Sequence, residues 1–136
     1  MRLIFASLLL FTLVGCDPSS NCPSPFPKPE WGLFSSTNHA AAKRISPKPV
    51  TPVFIDSIKF LAPDSSMGYG EARSKNTNSL IWRKPVYTVS YDNNLEKDVQ
   101  DVFIDSMIVK CNYLFIRNEE HEVYKINLKT LKTIKL

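Results

Sequence analysis

Residues 102–110 read VFIDSMIVK, and residues 112–117 read NYLFIR. Both runs are rich in the β-branched and aromatic side chains that suit a pleated sheet, so each predicts a strand. Turn-like stretches at 63–66, 67–70 and 92–94 break up the chain before them, and 118–120 is expected to close a hairpin after them. Further strands are predicted at 53–61, 79–82, 86–91, 122–127 and 130–136. The expected fold is mainly β, either a small antiparallel sandwich or a partly open barrel.

A short helix is predicted at 95–101, with Asn93 as its N-cap and Glu96 three residues later. No other segment shows a sustained helical period. A further feature is an internal echo, because residues 53–58 (VFIDSI) and 102–107 (VFIDSM) match at five of six positions, 49 residues apart. That spacing is close to the length of a propeller blade. Duplication and chance convergence of two core strands both explain it.

The echo places an aspartate, Asp56 or Asp105, on the same strand face as apolar neighbours in each copy. A buried, unpaired carboxylate is costly, so each is expected to meet a cation, a backbone donor or water. The two acids could also form a carboxylate pair for glycoside hydrolysis. No other residue supports a substrate cleft, and structural acids are the preferred interpretation.

The N-terminus predicts a signal peptide over residues 1–15. A positive start, Met1-Arg2, precedes an apolar run over 3–14 that is shorter than the roughly 20 residues of a membrane-spanning helix. The run ends in Leu13-Val14-Gly15-Cys16, which resembles the lipobox of bacterial lipoprotein precursors. The resemblance implies cleavage between Gly15 and Cys16 and attachment of fatty acyl chains such as palmitate to Cys16. Lipid chains of this kind anchor a protein durably to a membrane.

The resemblance also bears on location. In the enterobacterial lipoproteins that this segment resembles, an aspartate after the lipidated cysteine favours retention on the inner membrane, and Asp17 occupies that position here. Pro18 follows, where an acid or amide would strengthen that signal, so the outer membrane stays an alternative. In either membrane the mature chain would face the periplasm.

Removing Cys16 from the count leaves Cys22 and Cys111, an even pair in an oxidising compartment where disulfides persist. A bridge between them is favoured over two free thiols.

Residues 16–52 hold eight of the ten prolines and are predicted to form an extended tether. Within it, Trp31, Leu33 and Phe34 are expected to pack on the domain or to meet a partner. The small β domain is assigned to residues 53–136.

Motifs for chemistry are absent from the sequence. Neither His39 nor His121 has neighbours at metal-ligand spacing, and there is no Cys-x-x-Cys, nucleophile elbow or phosphate loop. We therefore expect no enzyme activity, no cofactor, no metal and no small-molecule substrate.

The chain carries 17 Lys+Arg against 13 Asp+Glu, and four lysines cluster near the C-terminus: Lys125, Lys129, Lys132 and Lys135. Nucleic acid is not an expected partner outside the cytoplasm. The lysines could meet anionic lipid, wall polymer or an acidic protein, but protection of an edge strand against aggregation is the preferred explanation.

The layout of lipobox, Pro-rich tether and compact β domain resembles the small periplasmic lipoproteins proposed as immunity proteins of type VI secretion. The resemblance implies a non-catalytic module that occludes a contact-delivered toxin. The alternative is a structural accessory lipoprotein of a secretion, conjugation or envelope-maintenance system. Aromatic residues often anchor protein interfaces, and the candidates by residue type are Trp82, Tyr87, Tyr91 and Tyr124.

Overall fold

The structure, a computed structural model, describes residues 22–28 and 48–136. The predicted signal peptide, Gly15, Cys16, Trp31 and His39 lie outside the described residues. Eight strands follow one another in the described part: β1 (Val53–Ile55), β2 (Ile58–Leu61), β3 (Tyr69–Ser74), β4 (Leu80–Pro85), β5 (Ile104–Lys110), β6 (Tyr113–Asn118), β7 (Val123–Asn127) and β8 (Thr133–Lys135).

The strands form two antiparallel meanders of four strands each. Sheet A has the order β1-β2-β3-β4, and sheet B has the order β5-β6-β7-β8. The described residues contain no helix, and so none that could cross a bilayer. The two sheets are not closed into a barrel, which confirms the mainly β prediction in its sandwich form.

The core lies between one face of each sheet. In sheet A the register Val53↔Phe60↔Ala72↔Trp82 sets one row of side chains on the inner face. These residues pack against the buried side chains of sheet B, which include Leu114, Ile116, Tyr124 and Ile126. Burial of such apolar surface stabilises a fold by about 25 cal/mol per Å² removed from water.

The predicted strand at 53–61 is wrong as a single element. The chain folds back at Asp56 and Ser57, and β1 and β2 pair with Ile55 opposite Ile58. Asp56 has a φ of 49°, in the left-handed region that aspartate tolerates better than most residues. Asp56 is therefore an exposed turn residue and does not share a strand face with Phe54 and Ile58.

One further prediction around sheet A is correct only in part, and another is wrong. The turn expected at 67–70 forms at residues 67 and 68, but β3 begins at Tyr69 and is hydrogen-bonded on both sides, by β2 and β4. The strand expected at 86–91 is irregular. After Pro85 the chain leaves the sheet, the N–H of Val86 donates to the carbonyl of Gly68 at 2.7 Å, and the hydroxyl of Tyr87 donates to the carbonyl of Val102 at 2.8 Å.

The predicted helix at 95–101 is a series of turns. The side chain of Gln100 organises it, because its amide nitrogen donates to the carbonyls of Asp92, Leu95 and Glu96 at 2.9 to 3.2 Å. Its amide oxygen accepts the N–H of Asp92. These bonds hold a compact loop that a continuous helix would not allow.

The two echoed segments open the two meanders but differ in conformation. Residues 53–58 make a hairpin, whereas residues 104–107 continue along β5. The register of β5 shifts between Ile104 and Ser106, and Asp105 at that irregularity is paired with Arg117, whose Nε donates to both carboxylate oxygens at 3.0 and 3.2 Å. Asp105 thus meets a cation, as expected.

Residues 22–28, which we call the strap, lie against the face of sheet B that points away from sheet A. Cys22 and Cys111 form a disulfide with their Cα atoms 6.1 Å apart, in agreement with the pairing favoured from the cysteine count. Phe26 is buried with Tyr113, Phe115 and Val123. The strap therefore covers an apolar face that would otherwise meet water.

Candidate protein-binding surfaces

A polar groove of about 480 Å³ runs where the connection between β4 and β5 passes the strands of sheet B. The rings of Tyr87 and Tyr124 stack beside it with centroids 5.3 Å apart and planes inclined by 25°. The rest of its lining is mostly polar and includes Gln100, Asn118, Glu122 and Lys135.

Glu122 organises the polar groove. Its carboxylate accepts hydrogen bonds from Lys135, from the hydroxyl of Tyr124 at 2.6 Å and from the amide of Asn118 at 3.2 Å. These bonds, the one from Lys135 first, hold the pKa of Glu122 below its ordinary value of 4.5 despite partial burial. Glu122 is therefore an anion near neutral pH.

The two stacked phenols are held in their neutral form. Burial raises the pKa of Tyr124, and the hydrogen bond that its hydroxyl donates to Glu122 raises it further. Burial also raises the pKa of Tyr87, with the neighbouring Tyr124 as a second cause. Because both hydroxyls already donate within the chain, they position the rings and offer no activated group for catalysis.

An apolar groove of about 540 Å³ lies next to the polar one, between the strap and the last strands of sheet B. Phe26, Pro27, Val123 and Leu136 contribute its apolar surface. The two grooves share three lining residues: Glu120, Glu122 and Lys135. They consequently offer one continuous surface with an apolar end and a polar end.

A second candidate surface is the outer face of sheet A, which points away from sheet B. The register sets two rows on it, Phe54 with Lys59 and Arg73, and Leu61 with Glu71 and Arg83. Glu71 is only 1% exposed. The Nε atoms of Arg73 and Arg83 donate to its two oxygens at 2.8 and 2.6 Å.

Burial alone would raise the pKa of Glu71, but the hydrogen bonds from Arg73 and Arg83 outweigh it and hold that pKa below 4.5. Sequence reasoning missed this cluster. The alternation Glu71-Ala72-Arg73 places the acid and the first arginine on one face of a strand, but that signal is readable only once β3 itself has been recognised.

The four aromatic candidates from the sequence occupy three environments. Tyr87 and Tyr124 meet in the polar groove. Trp82 instead packs in the core, its ring centroid 6.0 Å from that of Phe60. Tyr91 donates its hydroxyl to Asp101 at 2.8 Å, with the ammonium of Lys97 5.2 Å from its ring centre.

The C-terminal lysines do not form one patch. Lys125 lies over the ring of Tyr113 on the outer side of sheet B, whereas Lys135 reaches Glu122 in the polar groove. Within the described ranges, no group of three or more His, Cys, Asp or Glu side chains could hold a metal ion. His121 is an exposed residue of the β6–β7 turn with a φ of 63°.

Comparison with known proteins shows a likeness of fold. No protein-family model and no curated protein matches the chain. Among solved structures, the chain is similar to BamB from Moraxella catarrhalis, with a TM-score of 0.53 and 16% sequence identity. The match covers 65% of this chain and 26% of that one, so the chain spans about a quarter of BamB's length. At this identity the likeness shows the fold alone.

Proposed function

We propose that the chain is a lipid-anchored, periplasm-facing accessory protein of a bacterial envelope that binds a protein partner without catalysis. The lipobox at residues 13–16 carries this proposal, and the fold likeness to BamB, an envelope-associated β-propeller lipoprotein, supports it. Propellers pack four-stranded sheets face against face in sets of about four to eight. The described residues form two such sheets, and another protein can supply a neighbour for the outer face of one of them.

The anchor is the part of the proposal that rests on sequence. Cys16→Ala is expected to abolish metabolic labelling with a palmitate analogue and to release the protein from the membrane fraction. Lys129→Ala, at an exposed turn position, is the control and should keep the label, because it leaves the lipobox and the disulfide intact. Undiminished labelling of Cys16→Ala would refute the lipid anchor. Asp17→Ser should shift the protein from inner toward outer membrane fractions if Asp17 retains it.

The partner is tested with the full, membrane-bound chain. After crosslinking in living cells, purification of a tagged chain should recover one other envelope protein in a constant ratio to the chain. Cys16→Ala should lower the yield of that adduct, because it removes the chain from the membrane. Recovery of the chain alone would contradict a binding role. The double variant Asp56→Ala/Asp105→Ala should complement a deletion strain as well as wild type does. Asp105 forms an ion pair with Arg117, and Asp56 occupies a turn, so neither acid is needed for binding.

A finer form of the proposal is immunity, in which the partner is a contact-delivered toxin. The exposed polar groove supports it, because it brings Tyr87 and Tyr124 together beside the charged pair Glu122–Lys135. A toxin-like gene next to this one would agree. A deletion strain should be killed by a toxin-bearing sibling, and normal survival would reject immunity while leaving the accessory role standing.

A further inference from the structure

We propose that the outer face of sheet A docks an acidic protein whose contact surface places carboxylates opposite the cations at the centre of this face and apolar side chains opposite its edges. The proposal rests on the proposed function, which states only that a partner exists. It assigns the surface and the chemistry of that partner.

The first argument is exposed apolar area on a regular sheet. Phe54 is 52% exposed, Leu80 is 50% exposed and Tyr69 is 37% exposed, all on strands of sheet A. Leu80 pairs with Arg73, and Tyr69 stands two residues before Glu71, so both share the outer face with Phe54. Phe54 and Leu80 lie at opposite edges of the face, on either side of Lys59 and Arg73, so they offer a partner apolar contact around a charged centre.

The second argument is charge. Three cations, Lys59, Arg73 and Arg83, share the outer face with a single acid, Glu71. Lys75 adds a fourth cation at the edge, its ammonium 5.9 Å from the ring centre of Phe54. The excess of positive charge selects an acidic surface as the complement.

The third argument is preorganisation. Glu71 fixes both guanidinium groups by charge-assisted hydrogen bonds, and Arg73 also donates to the carbonyl of Asn78 at 3.2 Å. The Arg83 side chain stays 43% exposed, so part of its guanidinium still faces solvent. Side chains that are held before binding lose little freedom on binding, which favours affinity.

A second copy of the chain is a poor occupant. Two outer faces of sheet A would oppose like charges. The corresponding outer face of sheet B is already covered by the strap, which the Cys22–Cys111 disulfide holds in place. Among the described residues, the strap covers the outer face of sheet B and no segment covers the outer face of sheet A, so a different protein fits that face.

The test uses the full chain in living cells, with the photo-crosslinking residue p-benzoylphenylalanine placed at one position at a time. Phe54 and Leu80 report on the outer face of sheet A, Leu136 reports on the apolar groove, and Val99 is an exposed control in the loop before β5. We expect one heterologous adduct from Phe54 and Leu80 and none from Val99. Mass spectrometry should identify an acidic partner.

Other adduct patterns overturn the inference in distinguishable ways. An adduct only at Leu136 would move the partner to the grooves and leave the proposed function intact. Adducts between two copies of the chain would replace the partner with self-association. No adduct at any probed position would reject this surface, and the crosslinking of the tagged chain described above would still decide whether a partner exists.

Affinity for the identified partner then tests the charge argument. Lys59→Glu should weaken binding of the purified proteins by about tenfold, and added salt should weaken the wild-type complex as well. Lys129→Glu changes the net charge equally, in an exposed turn of sheet B, and should bind like wild type. Equal loss in both variants, with both folded by near-ultraviolet circular dichroism, would contradict recognition by this face.

Discussion

Arg83 on β4 donates its Nε–H to Oε1 of Glu71 on β3 at 2.6 Å, across two neighbouring strands. Arg73 occupies the other oxygen of the same carboxylate. A buried carboxylate is tolerated only when it is paired and hydrogen-bonded, and Glu71 has two charged donors. The pair therefore ties β3 to β4 beside the register shift between Ala72 and Arg73.

Glu71→Gln is expected to lower the free energy of unfolding by about 2 kcal/mol. The amide keeps the shape but loses one acceptor oxygen and the negative charge, and so leaves two guanidinium groups without their counter-ion. Denaturant unfolding of the full chain in detergent measures the change. Glu96→Gln, at an exposed loop position, is the matched control and should change stability by less than about 0.5 kcal/mol.

Acid should destabilise the fold through Glu71 and Glu122. Both carboxylates have folded pKa values below 4.5, so their stabilisation is present above the unfolded pKa and is lost as the pH falls through the folded values. We expect little change in unfolding free energy between pH 8 and pH 6 from these groups, and a decline below about pH 4.5. Glu71→Gln/Glu122→Gln should show a shallower decline, and an unchanged slope would contradict these assignments.

Sheet B could be read from the sequence, and sheet A largely could not. The runs at 102–110 and 112–117 predicted β5 and β6 closely, because aromatic and β-branched residues fill them and a short hairpin joins them. In β3 the sequence Gly70-Glu71-Ala72-Arg73 has low strand propensity. Its conformation comes from ladders on both sides and from the Arg83 pairing, which are contacts distant in sequence.

The candidate surfaces were less predictable than the fold. Residue type alone suggested Tyr87 and Tyr124, and the structure brings them together. Residue type could not show that Trp82 packs inward, because the two faces of a strand cannot be told apart until the partner sheet is known. The outer face of sheet A depends on the register of three strands, and no local pattern encodes that register.

Loss of the Cys22–Cys111 bridge should destabilise the chain by about 4 kcal/mol, since it closes a loop with a sequence separation of 89 residues. The double variant Cys22→Ser/Cys111→Ser avoids a free thiol. Hydrogen exchange should rise in the strap and in β6 beneath it more than in sheet A. Uniform protection equal to wild type would show that the strap is held by packing alone.

Phe26 and Phe54 form a matched pair for the packing of the strap. Phe26→Ala removes a buried ring that packs on Phe115 and Tyr113 and should cost about 3 kcal/mol. It also removes the contact of that ring with the guanidinium of Arg117, which lies 5.1 Å from the ring centre. Phe54→Ala removes a half-exposed ring and should cost less than about 1 kcal/mol. Similar unfolding midpoints for the two variants would argue against a strap that stabilises sheet B.

Alanine should destabilise the fold at Gly68 and change its stability little at Gly70. Gly68 has a φ of +74°, and a Cβ there would stand 2.6 Å from the carbonyl oxygen of Tyr87, so Gly68→Ala requires the backbone to move. We expect a loss of about 2 kcal/mol or more and disturbed stacking of Tyr87 on Tyr124, visible in near-ultraviolet circular dichroism.

A Cβ at Gly70 would meet Ile116 and Val86 at 3.5 and 3.6 Å, ordinary contact distances. Gly70→Ala should therefore stay within about 1 kcal/mol of wild type, because alanine there adds core contact and suits a strand better than glycine. A larger loss of unfolding free energy for Gly70→Ala than for Gly68→Ala would contradict the close approach of the Gly68 backbone to the carbonyl of Tyr87.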